Sequence, residues 1–237
     1  MLAAWSRIGT TTHLTILAVN TLHKNLSVPV TAKFRVFPTA EKTVEYARML
    51  ERAGAQILTC HGRIREQRGH NTVGPPDTSV TLLCSLPFNP PQGLADWDKI
   101  KAVKEAVSVP VFANGNILYH SDIDRCLKAT GADAVMSAEG SLYNPTLFAP
   151  SPPDLTAYDS GLHLPHADLA LEYLRIVKGL KTKTSLSAIK GHLFKLMRPG
   201  LARELDLRDR LGKIKGDDPV DEYLEVVEEM KRRMDVR

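Results

Sequence analysis

The spacing of apolar and polar residues switches between two periods along the chain, and the switch points delimit the elements. VPVTAKFRVF (28–37) is an apolar, β-branched run with the look of a buried strand. Lys33 and Arg35 interrupt it two residues apart. Successive strand residues point to opposite faces, so the two cations share one face. From Val44 the period becomes helical, with Val44, Ala47, Met49 and Leu50 forming the stripe. Gly54 stops that helix where a left-handed residue is wanted. Trp97, Ile100, Val103 and Val107 mark a second helix, and Ser121 is placed to cap a third that carries Ile123, Cys126 and Leu127. The pattern also repeats. LSVPVTAKF (26–34) matches VSVPVFANG (107–115), and ERAGAQILTCHG (51–62) matches KATGADAVMSAEG (128–140). The order is therefore β-α-β-α-β-α-β, which means a parallel sheet covered by helices with right-handed crossovers. A βαβα unit repeated twice gives four strands, the C-terminal half of a (β/α)8 TIM barrel; a small open α/β sheet is the alternative.

One segment breaks the alternation. NTVGPPDTSVTLLCSLPFNPPQGLADW (71–97) carries five prolines and no helical period, and its core, 73–92, reads as an inserted surface loop. After Pro150 the composition changes again. SPPDLTAYDSGLHLPH reads as a linker (151–164), and helical periodicity follows. Leu186, Ile189, Leu193, Leu196 and Met197 form one apolar arc, and Val220 to Met234 mixes charge signs like a solvated helix. The expected organisation is a partial barrel over 1–150 and a small helical domain over 165–237.

Composition narrows the class only a little. The chain has 237 residues, 43% hydrophobic content, mean hydropathy -0.17 and net charge +4, an ordinary globular balance. Its mild basicity suits a polyanionic partner without requiring one. Cys60, Cys84 and Cys126 are odd in number and widely spaced, so they form neither a metal motif nor a disulfide framework, and a reducing compartment is expected. No apolar run spans a bilayer. The opening MLAAWSRIGTTTHLTILAV has a leader-like apolar part, but it lacks a basic start and a small-residue cleavage site, and His13 interrupts it.

Candidate chemistry collects at the strand ends, where barrels place their active groups. The first strand ends with Lys33 and Arg35, and the second with His61 and Arg63 in TCHGR. The third ends with Asn114, Gly115 and Asn116, and the fourth with Ala138, Glu139 and Gly140. The last two are small turns of the kind whose backbone N–H groups cradle phosphate, and as seventh and eighth strands they would occupy the usual barrel phosphate position. A plain turn is the alternative for each. Lys33 is placed to meet an electron-rich ring or its carbonyl, with an ion pair to Glu45 or Asp96 as the structural alternative. In the helical region, Lys181 to Arg198 holds five basic residues and no acid.

VTAKFRVF, ILTCHGRIREQRGH, GLADWDKIKAVKEAVSVPVFANGNI and VMSAEGSLYNPTLF together resemble the tRNA-dihydrouridine synthases, most closely the eukaryotic branch acting near the start of the D-loop. The resemblance covers roughly residues 18–148 apart from the loop and continues weakly beyond. It implies a flavin mononucleotide (FMN) barrel with a helical RNA-binding domain, an oxidoreductase that uses NADPH to reduce the C5–C6 bond of a uridine in tRNA. By this resemblance Lys33 and His61 contact the flavin, Asn114, Gly115 and Asn116 form one phosphate loop, and Ala138 and Glu139 form the other. Arg35 would face the target uridine or its phosphate. Arg63 and Arg65 would meet RNA at the rim, and the acid-free basic stretch offers Lys190, Lys195 and Arg198 to RNA from the helical domain. The family's Asn-x-Gly-Cys-Pro loop with its catalytic cysteine does not occur in this sequence, which reads as N-terminally truncated against the family pattern, and about twenty residues are inserted before GLADW. The reading is therefore a synthase by family; the alternative is a catalytically inactive fragment, at most an RNA-binding protein. The expected location is cytoplasmic or nuclear, and the unpaired edges of a half barrel invite self-association.

Overall fold

The computed structural model describes residues 3–4, 12–67, 94–149, 166–216 and 219–235. The inserted loop expected over 73–92, Cys84 within it, and the linker over 151–164 lie outside the described residues. The chain divides into two compact units, 1–138 and 139–237. The division falls at Ala138 rather than after Pro150, because the short helix that follows Ala138 packs with the helices of the second unit.

In the first unit the elements are β1 (Ala3–Ala4), α1 (Thr12–Asn25), β2 (Thr31–Arg35), α2 (Ala40–Arg52), β3 (Ile57–His61), α3 (Trp97–Ala106), β4 (Val111–Asn114), α4 (His120–Thr130) and β5 (Ala134–Met136). The strands form one parallel sheet in the order β1-β2-β3-β4-β5. Sequence periodicity had announced four of these strands, and β1 is the addition. Each strand neighbours the next in sequence, and consecutive helices pack side by side, α1 on α2, α2 on α3 and α3 on α4. Strand order that never reverses is that of a (β/α)8 barrel segment; a doubly wound sheet has a switch point.

The faces of the sheet differ as that winding requires. Ala32, Phe34, Leu58, Cys60, Val111 and Ala113 are buried, and Phe34 packs its ring against Tyr46 of α2, 5.7 Å between centroids. This is the helix-facing side. Thr31, Lys33 and Arg35 alternate with them and are only half-buried. The two cations of β2 thus leave the helix-packed core untouched and stand on the opposite face.

Local chemistry sets the helix limits. Thr39 caps α2 by accepting from Lys42 N, and Asp96 caps α3 by accepting from Lys99 N. The expected cap Ser121 lies one residue inside α4; the carboxylate of Asp122 reaches back instead and accepts from Leu118 N and Tyr119 N. α2 ends before Gly54 at φ 105°, where His23 of α1 lies so close that an added Cβ would meet its ring at 2.7 Å.

The second unit comprises α5 (Glu139–Tyr143), α6 (His166–Gly179), α7 (Leu186–Leu196), α8 (Arg198–Arg203), α9 (Leu205–Lys213) and α10 (Val220–Asp235). Its core takes Leu174 from α6, Ile189, Leu193 and Leu196 from α7, Leu207 and Leu211 from α9, and Tyr223, Val227 and Met230 from α10. The expected arc on α7 is buried, with Leu186 at its edge. The last helix differs from expectation. It is solvated on one side only, because its apolar residues recur at helical spacing beneath the mixed charges. Arg233 ties it to the preceding helices through Glu204 at 2.8 Å and Asp206 at 2.8 Å.

Candidate functional site

Parallel register lines up the strand ends. Arg35 pairs with His61, His61 with Asn114, and Asn114 with Met136. Lys33 stands two residues below Arg35, beside Thr59. Since paired residues on adjacent strands point to the same face, Lys33, Arg35, His61 and Asn114 project on the side away from the helices.

The charges on this rim act on one another. The His61 imidazole is pushed down to about 3 by burial and by the cations of Arg35, Lys33 and Arg63, so it is neutral at physiological pH. Its Nε2 is buried and has no hydrogen-bond partner among the described residues. Burial and the Arg35 charge also lower the Lys33 ammonium below the ordinary lysine range. The rim therefore combines a cluster of cations with one neutral ring nitrogen that has hydrogen-bonding capacity to spend.

Backbone contacts stitch the ends of β3 and β4 together. Gly62 N donates to Asn114 O at 3.0 Å, and Asp96 N donates to Gly62 O at 2.6 Å. Trp97 Nε1 donates to Gly115 O at 3.1 Å. A Cβ on Gly115 would sit 2.7 Å from Ala95 Cβ and 3.0 Å from the His61 ring, and Gly115 has φ 110°, so glycine is required twice over. Asn116 follows in the left-handed region at φ 62°, and its Oδ1 accepts from Arg63 Nη2 at 2.6 Å. Asn114 Nδ2 donates to Met136 O at 2.8 Å, and Ser137 Oγ donates to Ile117 O at 2.8 Å. The turn at 114–117 and the end of β5 are thus neighbours at the same end of the sheet.

Several expected RNA contacts are turned inward. Arg35 Nη1 donates to Ile64 O at 3.0 Å and clamps the segment after β3. Arg63, expected to meet RNA at the rim, is buried against Asn116. Arg65 is half-buried. In the second unit Lys190 donates to Gly212 O and Ile214 O and closes the end of α9. Lys195 is half-buried, while Arg198 is exposed with its guanidinium 5.5 Å from the centre of the Tyr143 ring. Ala138 lies just beyond β5, and Glu139 begins α5.

Comparison with known proteins decides the family. The model described as "Dihydrouridine synthase (Dus)" matches residues 10–234. The chain belongs to the dihydrouridine synthase family. It is similar to the tRNA-dihydrouridine(16/17) synthase [NAD(P)(+)] of Schizosaccharomyces pombe, 47% identical over 199 residues, covering 81% of this chain and 44% of that protein. The enzyme of the same name from Saccharomyces cerevisiae is 44% identical over 81% of this chain and 41% of its own length. The tRNA-dihydrouridine(16/17) synthase [NAD(P)(+)]-like protein of Rattus norvegicus is 45% identical, over 81% of this chain and 36% of its own length. The chain spans less than half the length of these curated relatives.

Within this dihydrouridine synthase chain, the segment Ala95-Asp96-Trp97 was not singled out from sequence as part of the site, yet it holds both turns in place. Its signal was an aspartate directly before a helical apolar stripe, which marks a cap. The described thiols are poor proton donors to a ligand. Cys60 is buried on the helix-facing side of β3, and burial holds its thiol well above the ordinary range. Burial pushes the Cys126 thiol up to about 11.

Proposed function

We propose that the chain is the flavin- and tRNA-binding portion of a tRNA-dihydrouridine synthase that uses FMN with NADPH as reductant. The observation that carries this reading is the register-aligned rim of Lys33, Arg35, His61 and Asn114, with a buried His61 Nε2 lacking a partner among the described residues. That donor set fits FMN. A neutral imidazole nitrogen and a half-buried ammonium suit the polar edge of a flavin ring, and Asn114, Gly115 and Asn116, together with Ala138, are the candidates for its phosphate. When bound, FMN would supply the hydride that reduces uridine. The chain's own residues would hold and orient: Lys33 and His61 at the ring edge, and Arg35 by fixing the segment after β3. The tRNA would meet the second unit at exposed Lys181, Lys183 and Arg198, with half-buried Lys195 contributing through its ammonium. A cytoplasmic or nuclear location would suit such a partner. The outer strands β1 and β5 each carry an unpaired edge within the described sheet, which supports self-association.

The buried thiols favour a second reading, in which residues 1–237 bind but do not turn over. The reduction needs a proton at uridine C5, and general acid catalysis of this kind contributes about 10²–10⁴-fold. Neither Cys60 nor Cys126 is placed to give one. Incubation of the purified chain with unmodified tRNA, FMN and NADPH, followed by mass spectrometry, is expected to yield no dihydrouridine above a no-protein control. Product that disappears in His61→Ala would show a complete working site and overturn the second reading.

A further inference from the structure

Among the described residues Asn116 is the one non-glycine with positive φ, at 62°, and it directly follows Gly115 at 110°. Two successive residues in this region make an unusual turn, and side chains other than glycine occupy it at a cost. Such conformations persist where the surroundings over-determine them, and they gather at ligand clamps. Here the contacts come from three elements. Trp97 at the start of α3 donates to Gly115 O, Ser137 after β5 donates to Ile117 O, and Arg63 after β3 reaches the strained residue itself at 2.6 Å. Arg63 is 9% exposed, so its charge is largely withdrawn from water, which strengthens a charge-assisted hydrogen bond.

We infer that Arg63 is a positioning residue for anion binding: by holding Asn116 in its left-handed conformation it fixes the 114–116 turn in the shape that receives the phosphate of FMN. The inference rests on the functional reading above and adds a role that sequence had assigned elsewhere, to RNA. Its physical basis is preorganisation. A turn fixed before the ligand arrives loses less conformational freedom on binding, and the gain falls on the phosphate alone. Riboflavin, which shares the ring but lacks the phosphate, should not feel it.

The ratio of FMN affinity to riboflavin affinity therefore isolates the effect, and flavin fluorescence quenching reads both on the full chain. Arg63→Gln is expected to lower that ratio about ten- to a hundredfold, the equilibrium factor of one charge-assisted hydrogen bond, while riboflavin affinity stays within about twofold. Asn116→Gly removes the acceptor, and the double variant should be no weaker than the weaker single one, since both changes break one coupling. An unchanged ratio in Arg63→Gln, equal weakening of both flavins, or additive losses in the double variant would overturn the inference. Should Arg63→Gln fail to fold, Asn116→Gly carries the same ratio test, and an unchanged ratio there overturns it. If the unaltered chain binds neither flavin, the functional reading fails and this inference falls with it; if it binds both but prefers FMN and Arg63→Gln keeps the preference, the inference alone fails.

Discussion

Gly115→Ala tests the packing of the candidate site without touching a charge. Gly115 has φ 110°, and an added Cβ would lie 2.7 Å from Ala95 Cβ, 3.0 Å from His61 Cδ2 and 3.2 Å from His61 Nε2. The backbone term is about 1–2 kcal/mol for an L-residue in this region. The contact with Ala95 cannot be relieved by a flexible side chain, so overpacking adds about 1–3 kcal/mol. The sum is about 2–5 kcal/mol. Gly131 supplies the control: it has φ 66° at the end of α4 but nothing within 4 Å of its ideal Cβ, so Gly131→Ala carries the backbone term alone. Trp97 is a built-in reporter because its indole donates to Gly115 O, and Trp5→Phe leaves it as the sole tryptophan. Urea unfolding followed by Trp97 fluorescence should show the midpoint of Gly115→Ala about 1–2.5 M below the parent, at a typical slope of about 2 kcal/mol/M. Gly131→Ala should fall by about 0.5–1 M on the same slope. Equal midpoints for the two variants would refute the close approach of Ala95 and His61 to the turn.

The His61 imidazole gives a pH signature. Its folded value of about 3 lies below its ordinary 6.5, so the unfolded chain binds the extra proton and this group removes stability as pH falls from 6.5 toward 3. Urea midpoints should drop less between pH 7 and pH 4 in His61→Asn than in the parent; parallel slopes would contradict the neutral, cation-ringed histidine. In the helical unit, phosphate contacts release counterions, so tRNA affinity should fall steeply with salt, and charge reversal at Lys195 and Arg198 should weaken all RNAs alike and flatten the salt slope. Salt-independent binding would assign those side chains to a solvated face. Lys190→Ala should instead act on stability, because its ammonium holds the carbonyls of Gly212 and Ile214; a lowered thermal midpoint with the tRNA salt slope unchanged is expected, and the reverse would restore it to the RNA surface.

Much of the barrel segment was legible because its residues obey a single period at a time. Lys33 and Arg35 sit two apart in an apolar run, and strand geometry alone puts them on one face, away from Phe34 and its contact with Tyr46. The Gly115 turn was legible because glycine marks positions that other residues avoid, whereas the turn expected at Ala138 to Gly140 is the start of α5, with Glu139 and Gly140 already helical. Direction at the rim was not legible. Arg63 and Lys190 look like outward basic residues in sequence, yet each is drawn to a carbonyl-type oxygen that only the fold brings near, Asn116 Oδ1 for one and Gly212 O and Ile214 O for the other. Helix α1 was missed for a related reason: it buries Thr15 and Val19 while Leu14, Ile16 and Leu17 remain exposed, so its apolar residues do not trace its packed face. The sign mixture on α10 concealed a buried stripe of Tyr223, Val226, Val227 and Met230 in the same way.

Equilibrium dialysis of FMN against the purified chain tests the proposed flavin-binding role of the rim most directly. The expected result is saturable binding of one FMN per chain, weakened in both Lys33→Ala and His61→Ala because each removes a polar group from the ring edge. Absence of saturable binding, or binding unchanged in both variants, would contradict the assignment of this rim to a flavin.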